Sequence, residues 1–351
     1  MKLKADNSRM YQCHNTILSE CHNEYPVLPL ACAMEGCYTS KELPLQQRID
    51  MKTSSTILLA MLSIAAQATM PANTTAAARA RVLENGGTGP YRAIMMEQPG
   101  FPEHTVFRPI NLSPFSKTNA LPILVWGNGA CANSPIEHAK FLSEIASHGY
   151  LVLATGIYPE NDRPYRGPMS RPEQQIESID WAFAGNADPK SEYFGKLDLK
   201  HICLAGMSCG GLQALHNCAE KRISAVMICN SGLFTNPAAA MPNMPMPRKE
   251  KLRDLHTPVI YILGGKPDIA YNNGMNDFRR IHHVPAIAAN LPVGHGGTYR
   301  HPHGGEFGVV ARMWLDWQLK GDKNAAKMFV GDDCGLSKRK GWTIERNRAV
   351  Q

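Results

Sequence analysis

Several features that mark large protein classes are missing from this chain, and each absence narrows what it can be. No apolar run approaches the ~20 residues a helix needs to cross a bilayer; the longest, Ile57 to Ala66, is far shorter. The 10 cysteines contain no C-x-x-C pair and no C-x-x-C-H, so a strong zinc pattern and a haem attachment site are both lacking. Cys13-His14, Cys21-His22, Cys32 and Cys37 fit no strong zinc spacing either. No internal repeat appears. The net charge is +7, but its basic residues are scattered, apart from Lys338-Arg339-Lys340. That run reads as a solvated tail, which argues against nucleic acid as a partner.

What is present begins with an address. Met51-Lys52-Thr53 precedes the apolar core Ile57-Leu58-Leu59-Ala60-Met61-Leu62-Ser63-Ile64-Ala65-Ala66, and Ala66-Gln67-Ala68 places small residues where a signal peptidase reads. This layout predicts a secretory signal over 51–68, with no stable membrane anchor after its removal and a secreted or periplasmic product. A signal normally opens a chain, so translation is expected to begin at Met51. Residues 1–50 then read as a non-native or disordered extension. They carry five Lys/Arg against six Asp/Glu and the signal carries one Lys, so the remainder, 69–351, keeps a charge of +7. That length suits one α/β domain with a full core. Its six cysteines are too few for a disulfide-dense scaffold, although an oxidising compartment permits pairing.

Short apolar runs alternate with helical patterns, which predicts a mostly parallel central sheet with helices on both faces. Strands are expected at His104–Pro109, Leu121–Trp126, Tyr150–Ala154, Ile202–Ala205, Ser224–Cys229, Val259–Leu263 and Ala286–Leu291. Helices are expected at Ile136–His148, Gln174–Phe183, Leu212–Ala219 and Phe307–Leu319. A Pro/Met-rich piece, Ala238 to Pro247, is too short for a large cap and predicts a small lid or an open cleft.

The most informative stretch is Cys203-Leu204-Ala205-Gly206-Met207-Ser208-Cys209-Gly210-Gly211. An apolar strand runs into G-x-S-x-G and a helix follows. In that context the serine occupies a sharp turn, and a side chain at either glycine would strike neighbouring backbone. The bland reading is a tight turn with a solvated serine. A serine becomes a nucleophile only beside a histidine base and an acid that orients the imidazole. Asp268 follows the Val259–Leu263 strand and His295 follows the last strand, in the chain order Ser, Asp, His. Asp277 is an alternative acid, and His301 or His303 an alternative base. His295, His301, His303 and Glu306 could also be read as a metal site, but their spacing matches no helical or tight-turn ligand set, so no metal is assigned.

The oxyanion formed on attack needs backbone N–H donors. The expected pair is Cys209, directly after the nucleophile, and Ala130 in the loop after the Leu121–Trp126 strand, with Gly129 the second choice. Because Cys131 adjoins one donor and Cys209 is the other, a Cys131–Cys209 disulfide is expected if the two N–H groups converge; two small buried thiols are the alternative. Tyr158, Trp126 and the Met241–Met246 segment are candidates for lining a substrate pocket, with core packing an equal explanation for Trp126.

Together Pro122-Ile123-Leu124-Val125-Trp126-Gly127-Asn128-Gly129, Gly206-Met207-Ser208-Cys209-Gly210-Gly211, Asp268 and Gly294-His295-Gly296-Gly297 resemble the α/β-hydrolase superfamily over roughly residues 100–320. Within it the chain is similar to exported esterases near the dienelactone hydrolase, chlorophyllase-like and cutinase-like groups. The resemblance implies an α/β-hydrolase fold and a Ser208, Asp268, His295 triad that cleaves small or polymer-linked esters through an acyl-enzyme without a cofactor. The chain departs from dienelactone hydrolases in having serine rather than cysteine as nucleophile, and from some lipases in having Gly127-Asn128-Gly129-Ala130 in place of His-Gly-Gly-Gly. An amidase, a peptidase, an acyltransferase or a non-catalytic binding protein on the same fold are the competing readings.

Overall fold

The strands that read as unbroken apolar runs are the ones buried on both faces, as a parallel sheet between helices requires. A computed structural model describes residues 78–165, 167–236 and 244–350. The proposed signal, residues 1–50 and Met241 lie outside them. The described residues belong to one unit with no internal division.

The ten strands are β1 (Ala80–Arg81), β2 (Ala93–Glu97), β3 (His104–Pro109), β4 (Leu121–Gly127), β5 (Leu151–Thr155), β6 (Leu197–Met207), β7 (Ala225–Cys229), β8 (Val259–Leu263), β9 (Ala286–Asn290) and β10 (Thr343–Arg346). The helices are α1 (Ala139–Ser147), α2 (Glu173–Ala187), α3 (Cys209–His216), α4 (Tyr271–Arg280), α5 (Gly305–Lys320), α6 (Lys323–Ala326) and α7 (Gly335–Lys338). All ten strands join one sheet in the order β1-β2-β3-β5-β4-β6-β7-β8-β9-β10. The stretch from β5 to β9 is parallel throughout. The margins β1-β2-β3 and β10 are antiparallel. The fold is therefore α/β, with a parallel centre and antiparallel edges.

Period-2 alternation sends the strand side chains into two cores. On β4, Leu124 and Trp126 face α1 and α5, where Phe141, Ile145 and Trp314 are buried. Ile123 and Val125 face the other way, onto α2, α3 and α4 through Ile179, Leu215 and Phe278. Each such apolar side chain contributes about 1.5–3 kcal/mol by leaving water.

Five elements depart from the sequence expectation. β6 starts at Leu197 rather than Ile202, because Asp198, Lys200 and His201 on its first half remain partly open to solvent. α4 was not anticipated: Asn272, Asn273 and Gly274 are poor helix formers, and the helix is held instead by burial of Met275 and Phe278. Gly274 is needed there, since a Cβ would lie 2.7 Å from the Ser231 carbonyl oxygen. The margins β1, β2 and β10 also escaped notice. β10 alternates exposed and half-buried residues with charge on its open face, as edge strands do. Among the described residues no helix is long and apolar enough to cross a membrane.

Candidate active site

The parallel strands deliver their loops to one end of the sheet, where backbone-on-backbone packing shapes the turn after β6. A Cβ on Gly206 would lie 2.3 Å from the Gly210 carbonyl, and one on Gly210 would lie 2.1 Å from the Gly127 carbonyl. Only hydrogen fits at either position, so the ends of β4 and β6 and the start of α3 touch directly. Between them Ser208 adopts φ 52°, a conformation costly for a residue with a Cβ. The turn is over-determined by its hydrogen bonds. The Ser208 N–H donates to the Cys229 carbonyl at 2.9 Å, the Gly210 N–H to the Asn128 carbonyl at 2.9 Å, and the Ser231 hydroxyl to the Ser208 carbonyl at 2.7 Å. The Ser208 side chain is left pointing outward at the head of α3.

His295, on the loop after β9, meets that side chain. Its Nε2 lies 3.0 Å from Ser208 Oγ, and its Nδ1 lies 2.6 Å from Asp268 Oδ1. Asp268, on the loop after β8, is almost wholly buried. It accepts from the Ala270 N–H at 2.9 Å, the Gly264 N–H at 3.0 Å and Asn230 Nδ2 at 2.8 Å. Burial pushes this carboxyl up. The hydrogen bonds from His295, the two backbone N–H groups and Asn230 outweigh it, so the group lies below the ordinary carboxylate value.

The structure thus brings Ser208, His295 and Asp268 into one line and leaves the competing residues elsewhere. Asp277 is buried on α4, where it accepts from Lys249 Nζ at 2.5 Å and the Leu233 N–H at 2.7 Å. Its burial raises it to about 6 despite the lysine. His301 is exposed, His303 faces Glu84 and Glu144, and Glu306 pairs with Arg339.

The loop after β4 holds two consecutive non-glycine residues with positive φ, Ala130 at 53° and Cys131 at 48°. Cys131 and Cys209 lie at disulfide distance, with Cα atoms 5.0 Å apart and their sulfurs joined. The Asn128 amide donates to the carbonyls of Thr155 and Ala132, and the Ser170 N–H donates to the Cys131 carbonyl at 2.7 Å. Cys209 is the first residue of α3, so its N–H has no acceptor within the helix.

A cavity of about 440 Å³ contains both Ser208 and His295. Leu212, Phe234, Met244 and Ile269 supply its apolar wall, and among the described residues no Asp, Glu, Lys or Arg lines it. Tyr158 does not reach this cavity. It lines another of about 620 Å³ that shares no described lining residue with the first, because the chain after β5 carries it towards Pro159, Arg163 and Tyr165. Trp126 is fully buried in the core. Met244, inside the expected Met241–Met246 segment, lines the cavity, while Met241 lies outside the described residues.

Sequence reasoning missed Asn230, Ser231 and Tyr299. The first two were signalled only as Asn230-Ser231-Gly232 at the end of a buried strand, which reads equally well as a turn, and nothing in the sequence marked Tyr299. Comparison of the chain with protein-family models and with curated proteins finds no match. The geometry alone therefore describes the chemistry available: a hydroxyl, a base within reach of its proton, and a buried anion that orients the base.

Proposed function

We propose that this protein is an exported serine hydrolase of the α/β-hydrolase fold that cleaves carboxylic esters. The observation that carries the reading is the continuous line from Ser208 Oγ through His295 to Asp268, with spacings of 3.0 and 2.6 Å. In this reading Ser208 Oγ attacks the ester carbonyl while His295 Nε2 takes its proton. Asp268 keeps Nδ1 protonated and stabilises the imidazolium. The N–H groups of Cys209 and Ala130 receive the oxyanion. His295 then passes its proton to the departing alcohol, leaving an acyl group on Ser208. Water, deprotonated by the same imidazole, releases the acid and restores the serine. The reaction so written needs no metal or cofactor.

Three further observations support it. The serine, acid and base follow β6, β8 and β9 in the order such sheets use, at the carboxyl ends of the strands. The described lining of the cavity holds no Asp, Glu, Lys or Arg, which suits an uncharged ester. The signal-like segment at 51–68 and the Cys131–Cys209 pair both suit an oxidising compartment. A fluorophosphonate probe is expected to form a covalent adduct at Ser208, and S208A to lower kcat by about a million-fold. Rates on p-nitrophenyl esters of rising chain length, set beside an anilide, test ester against amide. An intact protein that takes no label would sink the hydrolase reading in favour of a binding role.

A further inference from the structure

The acid of the site is held by more than its histidine. We infer that Asn230 and Tyr299 form a positioning relay that fixes the orientation of Asp268 and, through it, of the His295 ring. The inference rests on the hydrolase reading above and deepens it.

Asn230 directly follows β7 and is fully buried. Its amide has one donating and one accepting end, and each has a distinct partner. Nδ2 donates to Asp268 Oδ2 at 2.8 Å and to the Gly294 carbonyl at 3.3 Å, while Oδ1 accepts from the Tyr299 hydroxyl at 2.6 Å. Reversing the amide would set two acceptors against each other at Asp268. The tyrosine, donating to the far end, favours the productive sense. Asn230 also adopts φ 42°, which asparagine tolerates better than most residues, and its N–H is fixed by the Ile262 carbonyl at 2.8 Å. A strained, buried, doubly committed amide beside a reacting group is costly to keep for packing alone.

Tyr299 is as constrained as its partner. It lies on the same loop as His295, and its ring stands edge-on to Phe141 and Phe307 with centroids 5.3 and 5.4 Å away. Two further edge contacts reach Trp126 and His138. The hydroxyl is therefore held by the aromatic core, and the relay joins the loops after β7, β8 and β9. Among the described residues His295 is the one ionisable side chain hydrogen-bonded to Asp268. The remaining partners of that carboxylate are the Asn230 amide and the N–H groups of Gly264 and Ala270.

Three variants test this. N230G keeps the positive φ and removes only the amide, Y299F removes one oxygen, and N230D keeps the shape but adds a carboxylate. N230G is expected to lower kcat on the order of 10–100-fold with KM within about twofold. Y299F should lower kcat by a smaller factor in the same pattern. N230D should move the acid limb of the kcat/KM profile to higher pH, because a second carboxylate beside Asp268 favours the protonated imidazole. Labelling of Ser208 in the unaltered protein is the control, and its absence would mean that the hydrolase reading has failed. If the unaltered protein labels, and Y299F and N230D keep its kcat and pH profile, the relay is overturned, even where N230G loses activity together with its unfolding midpoint.

Discussion

At the scale of single residues, the site depends on hydrogens where other proteins have side chains. Gly206 and Gly210 let two strands and a helix meet with no atoms between their backbones. G210A is expected to destabilise the fold by about 1–3 kcal/mol or more, since the Gly127 carbonyl it would strike belongs to a buried central strand. Thermal unfolding beside probe labelling checks this, and an unchanged midpoint would refute it. The meeting of Ser208, Asp268 and His295 was legible in the sequence because the proposed chemistry demands specific residue types after specific strands. Asn230 and Tyr299 were not, because an amide and a phenol have many ordinary uses. Their role exists only through the contact between them, 69 positions apart in the chain. The Asp277 alternative could not be dismissed from sequence either. What removes it is Lys249, which reaches it across the fold.

At the scale of elements, helix α1 carries a buried charge that ties it to its surroundings. Glu144 accepts from the Thr88 N–H at 2.9 Å, the Thr88 hydroxyl at 2.5 Å and His148 Nε2 at 3.0 Å. Burial pushes its carboxyl up, but the bonds from His148 and Thr88 draw it down to about 2. A carboxylate depressed in the folded state stabilises the protein above its unfolded value near 4.5 and loses that contribution as pH falls towards 2. E144Q should therefore be less stable than the parent at pH 7, on the order of 2–3 kcal/mol. The difference should narrow near pH 3, as read by urea unfolding; a gap independent of pH would contradict the assignment. The central strands were readable as elements because burial on both faces leaves a continuous apolar run. The margins and α4 were not, because short edge strands and a glycine-bearing helix owe their form to neighbours rather than to local preference.

At the scale of the whole molecule, the Cys131–Cys209 link joins the loop after β4 to the first residue of α3, 78 positions further along the chain. Closing a loop of that length removes unfolded-state freedom worth about 4 kcal/mol in the chain-entropy account. Reduction, or C131S, is expected to lower the unfolding midpoint and to slow labelling of Ser208, since the loop carrying Ala130 loses its tie to α3. Equal labelling rates with and without reductant would show that the hydrogen bonds of Asn128 and Ser170 suffice to hold the loop. The sequence made this pairing conceivable through the roles assigned to two donors. It could not decide it, because the distance depends on how two loops from different strands converge.

The other four cysteines of the described region, Cys203, Cys218, Cys229 and Cys334, are all buried and unpaired. Burial raises the Cys229 thiol to about 12 and the Cys218 thiol to about 11. A maleimide can reach them only when the surrounding structure parts. Cys203 lies on the central strand β6, while Cys334 caps the small helix α7 near the margin. Timed alkylation read by mass would thus record how often the tail lifts away against how often the sheet comes apart, a clock already built into the chain.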